Sequence, residues 1–211
     1  MNPADSPYLR APKNCINRRS FLNRSLFCTT TGMSLLALAG TLSGTTAAEK
    51  GGSKEEIFGK LDREIERLYP ILHTCSQPTL AALNDQFGLD ADQTVTAIRL
   101  FAGGIAGKGE TCGAVTGSLL ALGFFFDVKK ANSGPAAGAS MTHAGAFFDR
   151  FTREFGSIRC REVMTHQYGK AIDYGSPEDL KLLAKPENQG KCLEVMKTAV
   201  HIAAEIMLQR S

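Results

Sequence analysis

The chain contains no Cys-x-x-Cys pair, which excludes both a zinc knuckle and a thioredoxin-type dithiol motif. It has no Cys-x-x-Cys-His, so no covalent c-type haem is predicted. The glycine-rich stretch Gly103-Gly104-Ile105-Ala106-Gly107-Lys108-Gly109 is not a Walker loop, because Gly109 rather than Ser or Thr follows Lys108. No Ser–His–Asp pattern and no paired carboxylates mark out hydrolytic chemistry. No segment sustains the period-two alternation of a half-buried strand, and no repeat is visible. The most apolar stretch, Thr111 to Phe126, is too short to cross a bilayer, so no permanent membrane span is expected.

The amino terminus is read as a leader. Asn17-Arg18-Arg19-Ser20-Phe21-Leu22 sets two arginines before an apolar stretch from Ser25 to Leu42, and Thr45, Thr46, Ala47 and Ala48 close it with small residues. The paired arginines resemble the twin-arginine (Tat) export signal. Residues 1–48 are therefore expected to be a Tat-type signal peptide, 49–53 a linker, and 54–211 one domain. The expected location is extracytoplasmic, with the Tat translocase as a partner during export. The leader holds Arg10, Lys13, Arg18, Arg19 and Arg24 against Asp5, so the formal net charge of +3 belongs to it. The rest is near neutral, and no basic stripe points to nucleic acid.

Beyond the leader the sequence has helical periodicity. Ile57, Leu61, Ile65, Leu68 and Leu72 predict an amphipathic helix over 54–72. A second helix opens at Cys75-Ser76-Gln77-Pro78 and stops at Gly88, and a third starts at a capping Asp90. Thr111 to Phe126 is apolar nearly all round and is expected at the centre of the core. Met141–Phe155 and about 189–208 supply two more helices, with a short one at Cys160. The expected fold is all-α, a compact bundle of five or six helices.

Four cysteines remain in this domain: Cys75, Cys112, Cys160 and Cys192. Each falls at a predicted helix start, where unpaired N–H groups and the helix dipole favour a thiolate. Thr111, Ser157 and Asn188 are candidate caps beside them, and Arg159 and Arg161 flank Cys160. Gly113, Gly117 and Ala121 form a smooth ridge on which a second cysteine-bearing helix can pack. The 103–109 loop offers amides to an anion or a sulfide. An exported chain with four cysteines is also ordinarily read as two disulfides. His73, His143, His166 and Met196 are weaker ligand candidates.

Cys75-Ser76-Gln77, then Cys112-Gly113-Ala114-Val115-Thr116-Gly117, then Cys160 after Gly156-Ser157, then Cys192, resemble the C-GCAxxG-C-C family of redox-active proteins. The likeness runs from about Leu61 to Ala204. The family label spells its central motif Gly-Cys-Ala, whereas this chain reads Cys-Gly-Ala. The resemblance implies redox or metal chemistry at Cys75, Cys112, Cys160 and Cys192. The leading expectation is an iron–sulfur or other soft-metal centre on those four sulfurs, with Gly113 and Gly117 lining the cofactor site and a redox partner protein. The alternatives are thiol–disulfide exchange, with Cys112 and Cys160 as the redox-active thiols, or a non-redox helical module stapled by two disulfides.

Overall fold

The computed structural model describes residues 52–126 and 135–209. The expected leader, and the linker before Gly52, lie outside the described residues.

The fold is all-α. Helix α1 (Lys54–Leu72) starts where the Ser53 hydroxyl accepts a hydrogen bond from the Glu56 amide at 3.2 Å, with Glu55 and Glu56 in its first turn. Its five periodic residues, Ile57 to Leu72, are all buried. α2 (Ser76–Phe87) ends at Gly88, whose φ of 64° completes a left-handed cap. α3 (Asp92–Ala97) passes into a 3-10 turn at Ile98–Phe101. α4 (Gly113–Phe125), α5 (Pro135–Phe155), α6 (Cys160–Tyr168), α7 (Pro177–Leu183), α8 (Pro186–Gln189) and α9 (Lys191–Leu208) complete the chain.

Three expectations shift. Asp90 does not cap the third helix: it sits at φ 57°, and the helix begins at Asp92. The helix has no side-chain cap; Asn84 holds its start instead, accepting from the buried Ala91 amide at 2.8 Å and donating to Asp92 at 2.9 Å. Residues 174–190, a polar connection in which Ser176-Pro177 predicts a turn of helix, form that helix and a second short one at Pro186, so there are more segments than five or six. α5 begins at Pro135, earlier than Met141.

The core lies between α1, α2, α4, α5 and α9, with α4 packed against α2, α5 and α9. Only the first part of α4 is enclosed. Ala114, Val115, Ala121 and Leu122 are buried, but Leu120 is 37% exposed and Phe124, Phe125 and Phe126 are half-buried. Among the described residues, no helix is long and apolar enough to cross a membrane.

Phe147 and Phe151 are fully buried, with ring centroids 5.9 Å apart. Truncating either to alanine leaves a cavity one ring in size, and such changes cost about 3–5 kcal/mol. Chemical unfolding should show that loss for Phe147→Ala and a much smaller one for Phe148→Ala, which is only half-buried. Asn84→Ala should cost about 1–3 kcal/mol in the same assay, because it strands the buried Ala91 amide.

Candidate functional site

Three buried polar side chains at the start of α2 fix the chain beyond it. Ser76 Oγ donates to the Ile98 carbonyl at 2.9 Å, and Gln77 Nε2 donates to the Val95 carbonyl at 3.1 Å. Thr74 Oγ1 donates to Gln77 Oε1 and holds that amide in place. The 3-10 turn is thereby pinned to the start of α2. From it the 103–109 loop winds back over Cys75.

Five consecutive residues, Gly103 to Gly107, hold positive φ between 52° and 74°. Two are Ile105 and Ala106, which rarely adopt that conformation. The loop binds itself. Ile105, Ala106, Gly107, Lys108, Gly109 and Glu110 all donate their amides to carbonyls between Leu100 and Ile105. Those amides are consequently not open to an anion. The Gly103 amide faces a sulfur instead, that of Cys75.

The glycine ridge of α4 receives the start of α2. A Cβ on Gly113 would land on the Cys75 sulfur, and one on Gly117 would lie 2.8 Å from the Ser76 carbonyl oxygen. Gly113 and Gly117 thus permit a second cysteine-bearing helix to begin beside Cys112. A different device brings in Cys160. The chain entering α4 and the chain entering α6 pair through an isolated antiparallel bridge between Thr111 and Arg159. Cys112 N donates to the Ile158 carbonyl at 2.8 Å, and Cys160 N to the Glu110 carbonyl at 2.6 Å.

All four cysteines are free, and all four stand at helix starts. Cys75 and Cys112 are the capping residues of α2 and α4, Cys160 is the first residue of α6, and Cys192 the second of α9. Their neighbours do not cap as expected. Ser157 Oγ accepts the Arg159 amide, Asn188 donates its side-chain amide to Leu182, and Thr111 precedes the cap. Nor do both arginines turn to Cys160. Arg159 pairs with Glu110 at 3.1 Å, and Arg161 reaches the Lys108 carbonyl at 3.4 Å.

A shared position at helix starts does not make four thiolates. Cys75 alone is shifted down, to about 7. It accepts a hydrogen bond from the Cys112 thiol and from the backbone amides of Gly103 and Gly113. Cys112 moves well up, because it donates its proton to Cys75 and is buried. Burial pushes Cys160 up to about 12, and it raises Cys192 further. The negative charge of Cys75 raises both as well.

Cys75 and Cys192 line a cavity of about 290 Å³ with Tyr69, His73, Gly103 and Tyr174. The Tyr174 hydroxyl lies 3.9 Å from Cys160 Sγ, and Cys192 Sγ lies 4.0 Å from Met164 Sδ. Among the described residues, no group of three or more His, Cys, Asp or Glu side chains is arranged to hold a metal ion. His143 stacks on Phe126 and His166 meets the Phe155 ring, while Met196 is buried core. Of these weaker candidates, only His73 borders the cavity. Tyr69 and Tyr174 are site groups that no sequence motif marks, whereas the Gly103 amide belongs to the glycine-rich 103–109 loop that the sequence singles out. Tyr174 lies in a polar connection with no periodic signal.

Comparison with curated proteins and with solved structures gave no match. A family model described as "Putative redox-active protein (C_GCAxxG_C_C)" matches residues 73–206, a span that contains all four cysteines and the loop over Cys75. The chain belongs to the C-GCAxxG-C-C family of redox-active proteins.

Proposed function

We propose that the protein is a thiol–disulfide redox protein whose working pair is Cys75 and Cys112. One observation carries the reading: Cys75 Sγ lies against Gly113, the residue that follows Cys112, so the two sulfurs meet where α2 and α4 begin, and there the Cys75 thiol is shifted down by its Cys112 neighbour while Cys112 is shifted up. One sulfur is then ready to attack and the other retains its proton until needed, which is the division of labour a dithiol requires. Cys75 borders the open cavity, whereas Cys112 is 2% exposed behind it.

The step balances with a disulfide as co-reactant. The Cys75 thiolate attacks one sulfur of that disulfide, whose S–S bond breaks and whose other half leaves as a thiolate. Cys112 then gives its proton to solvent and attacks Cys75 Sγ, expelling the second half. The substrate disulfide gains two electrons and the Cys75–Cys112 pair loses them. The reverse sequence oxidises a dithiol. A redox partner protein that restores the pair belongs to this proposal, as does export of the chain through the Tat route.

Mass spectrometry of the protein in graded thiol–disulfide buffers tests it. The expected result is reversible loss of two hydrogen atoms, with peptides containing Cys75 and Cys112 linked after digestion. A pair that stays reduced across the whole range, or linkage of Cys160 to Cys192 alone, would reject it.

A soft-metal or iron–sulfur centre on Cys75, Cys112, Cys160 and Cys192 is the second reading. It is favoured by the reach of the Cys75 charge to both Cys160 and Cys192, which puts three of the sulfurs in one electrostatic neighbourhood. It requires three raised thiols to lose their protons and the sulfurs to converge. Metal analysis of protein purified without air decides between them: stoichiometric metal, with visible absorption lost on alkylation, would displace the dithiol reading.

A further inference from the structure

A second cavity, of about 450 Å³, adjoins the first. The two share Ala106, Gly107 and Tyr174 as a common wall. Tyr174 can lie on the loop because Gly103 and Gly107 have no side chains. A Cβ on either would come within 3.3 Å of the tyrosine. Lys108 and Arg161, both exposed, also line the second cavity.

These two cations differ from their neighbours in having no acidic partner. Arg159 is taken by Glu110 and Glu162, and Lys170 by Asp179. Among the described residues, no carboxylate lies within ion-pair distance of Lys108 or Arg161. Arg161 is also held in place. Its side chain crosses Gly109, where a Cβ would meet Arg161 Cβ at 3.2 Å and Nε at 3.3 Å. Asp173, the one carboxylate lining this cavity, spends Oδ1 on the Gly175 amide at 2.8 Å.

A dithiol cavity thus adjoins a cavity with two unpaired positive charges. We infer that Lys108 and Arg161 hold the carboxylates of a low-molecular-weight disulfide whose sulfur–sulfur bond lies against Cys75 across the Tyr174 wall. The inference rests on the dithiol reading and adds the substrate class to it. In the redox step the Cys75 thiolate attacks the small disulfide, which is reduced to two carboxylate-bearing thiols while Cys75 becomes joined to Cys112.

Two matched probes test it: dithiodipropionate, which carries a carboxylate on each half, and bis(hydroxyethyl) disulfide, which is neutral. The rate of mixed-disulfide formation is followed by quenched mass spectrometry at low salt. A cleft with an excess of one sign of charge raises encounter rates of an oppositely charged ligand by about tenfold or more, and here Lys108 and Arg161 outnumber Asp173. Wild type should therefore favour the anionic probe by about tenfold, and added salt should erode that preference. Lys108→Ala with Arg161→Ala should remove the preference and leave the neutral probe's rate unchanged. Lys108→Glu should reverse it. Arg161 also packs across Gly109 and donates to the Lys108 carbonyl, so a matching melting curve is expected of Lys108→Ala alone, in which the preference should already fall. Equal rates for the two probes in wild type, or a preference that survives both variants, would overturn the substrate class while leaving the dithiol intact. Failure of Cys75 to react with either probe would reject the dithiol and the substrate class together.

Discussion

Gly104→Ala is expected to lower the melting temperature by about 9 °C, the equivalent of ~3 kcal/mol in a domain of this size. Two separate costs add. Gly104 sits at φ 68°, where an alanine side chain costs about 1 kcal/mol. The new Cβ would also lie 2.5 Å from Cys160 Cβ and 2.6 Å from both N and O of Glu110. None of these is the free end of a flexible side chain. Relief requires the loop to part from the bridge that carries Cys112 and Cys160, and overpacking of that kind costs about 1–3 kcal/mol. Gly156→Ala separates the two terms. Gly156 has φ 75° but nothing within 4 Å of its would-be Cβ, so only the backbone cost of about 1 kcal/mol applies. Thermal unfolding of the two variants side by side checks this. Equal shifts would show that the loop yields freely around position 104.

The same loop holds Ile105 and Ala106 at positive φ, a conformation that costs of order 1–3 kcal/mol per residue outside glycine. Its hydrogen bonds, and the anchoring of the 3-10 turn by Ser76 and Gln77, offset that cost. In return the Gly103 amide is set on the Cys75 sulfur. Strain and chemistry therefore occupy one segment.

Much of this architecture was legible in the residues. The periodicity of α1 gave its bounds and its buried face, because a stripe every three to four residues has one solution on a helix. The ridge of Gly113 and Gly117 announced a close approach, and the start of α2 makes it. Helix starts at all four cysteines were implied by glycine, proline and polar residues nearby. What the residues did not reveal was nonlocal. The bridge between Thr111 and Arg159 is too short for any alternation to mark it. The split of one low and three high thiols depends on burial and on which sulfur donates to which, and a cysteine's letter carries neither. The helix dipole, argued for each site alone, loses to the Cys75 neighbour and then to burial at Cys112, and to desolvation at Cys160 and Cys192.

Cys112→Ala should raise the alkylation midpoint of Cys75 from about 7 to that of an ordinary thiol, and should abolish the internal disulfide. The hydrogen bond from Cys112 is the largest influence holding Cys75 down, ahead of the Gly103 and Gly113 amides. Without it, burial works against the thiolate, and the midpoint returns to about 8.5 or above. At neutral pH the thiolate fraction then falls, about tenfold for each unit by which the midpoint rises. The rate falls less, because a more basic thiolate is the better nucleophile. With a Brønsted slope near 0.5 the net loss is about threefold for each unit. The pH profile, measured with iodoacetamide, is thus the sharper readout than a rate at one pH. Cys112→Ser separates the two roles of the partner. Its hydroxyl still donates a hydrogen bond, so the midpoint should stay near that of wild type, yet no disulfide can close and a mixed disulfide at Cys75 should accumulate. A serine variant whose midpoint rises as far as the alanine variant's would show that the Cys112 proton does not hold Cys75 as a thiolate, and the division of labour between the two sulfurs would fall with it.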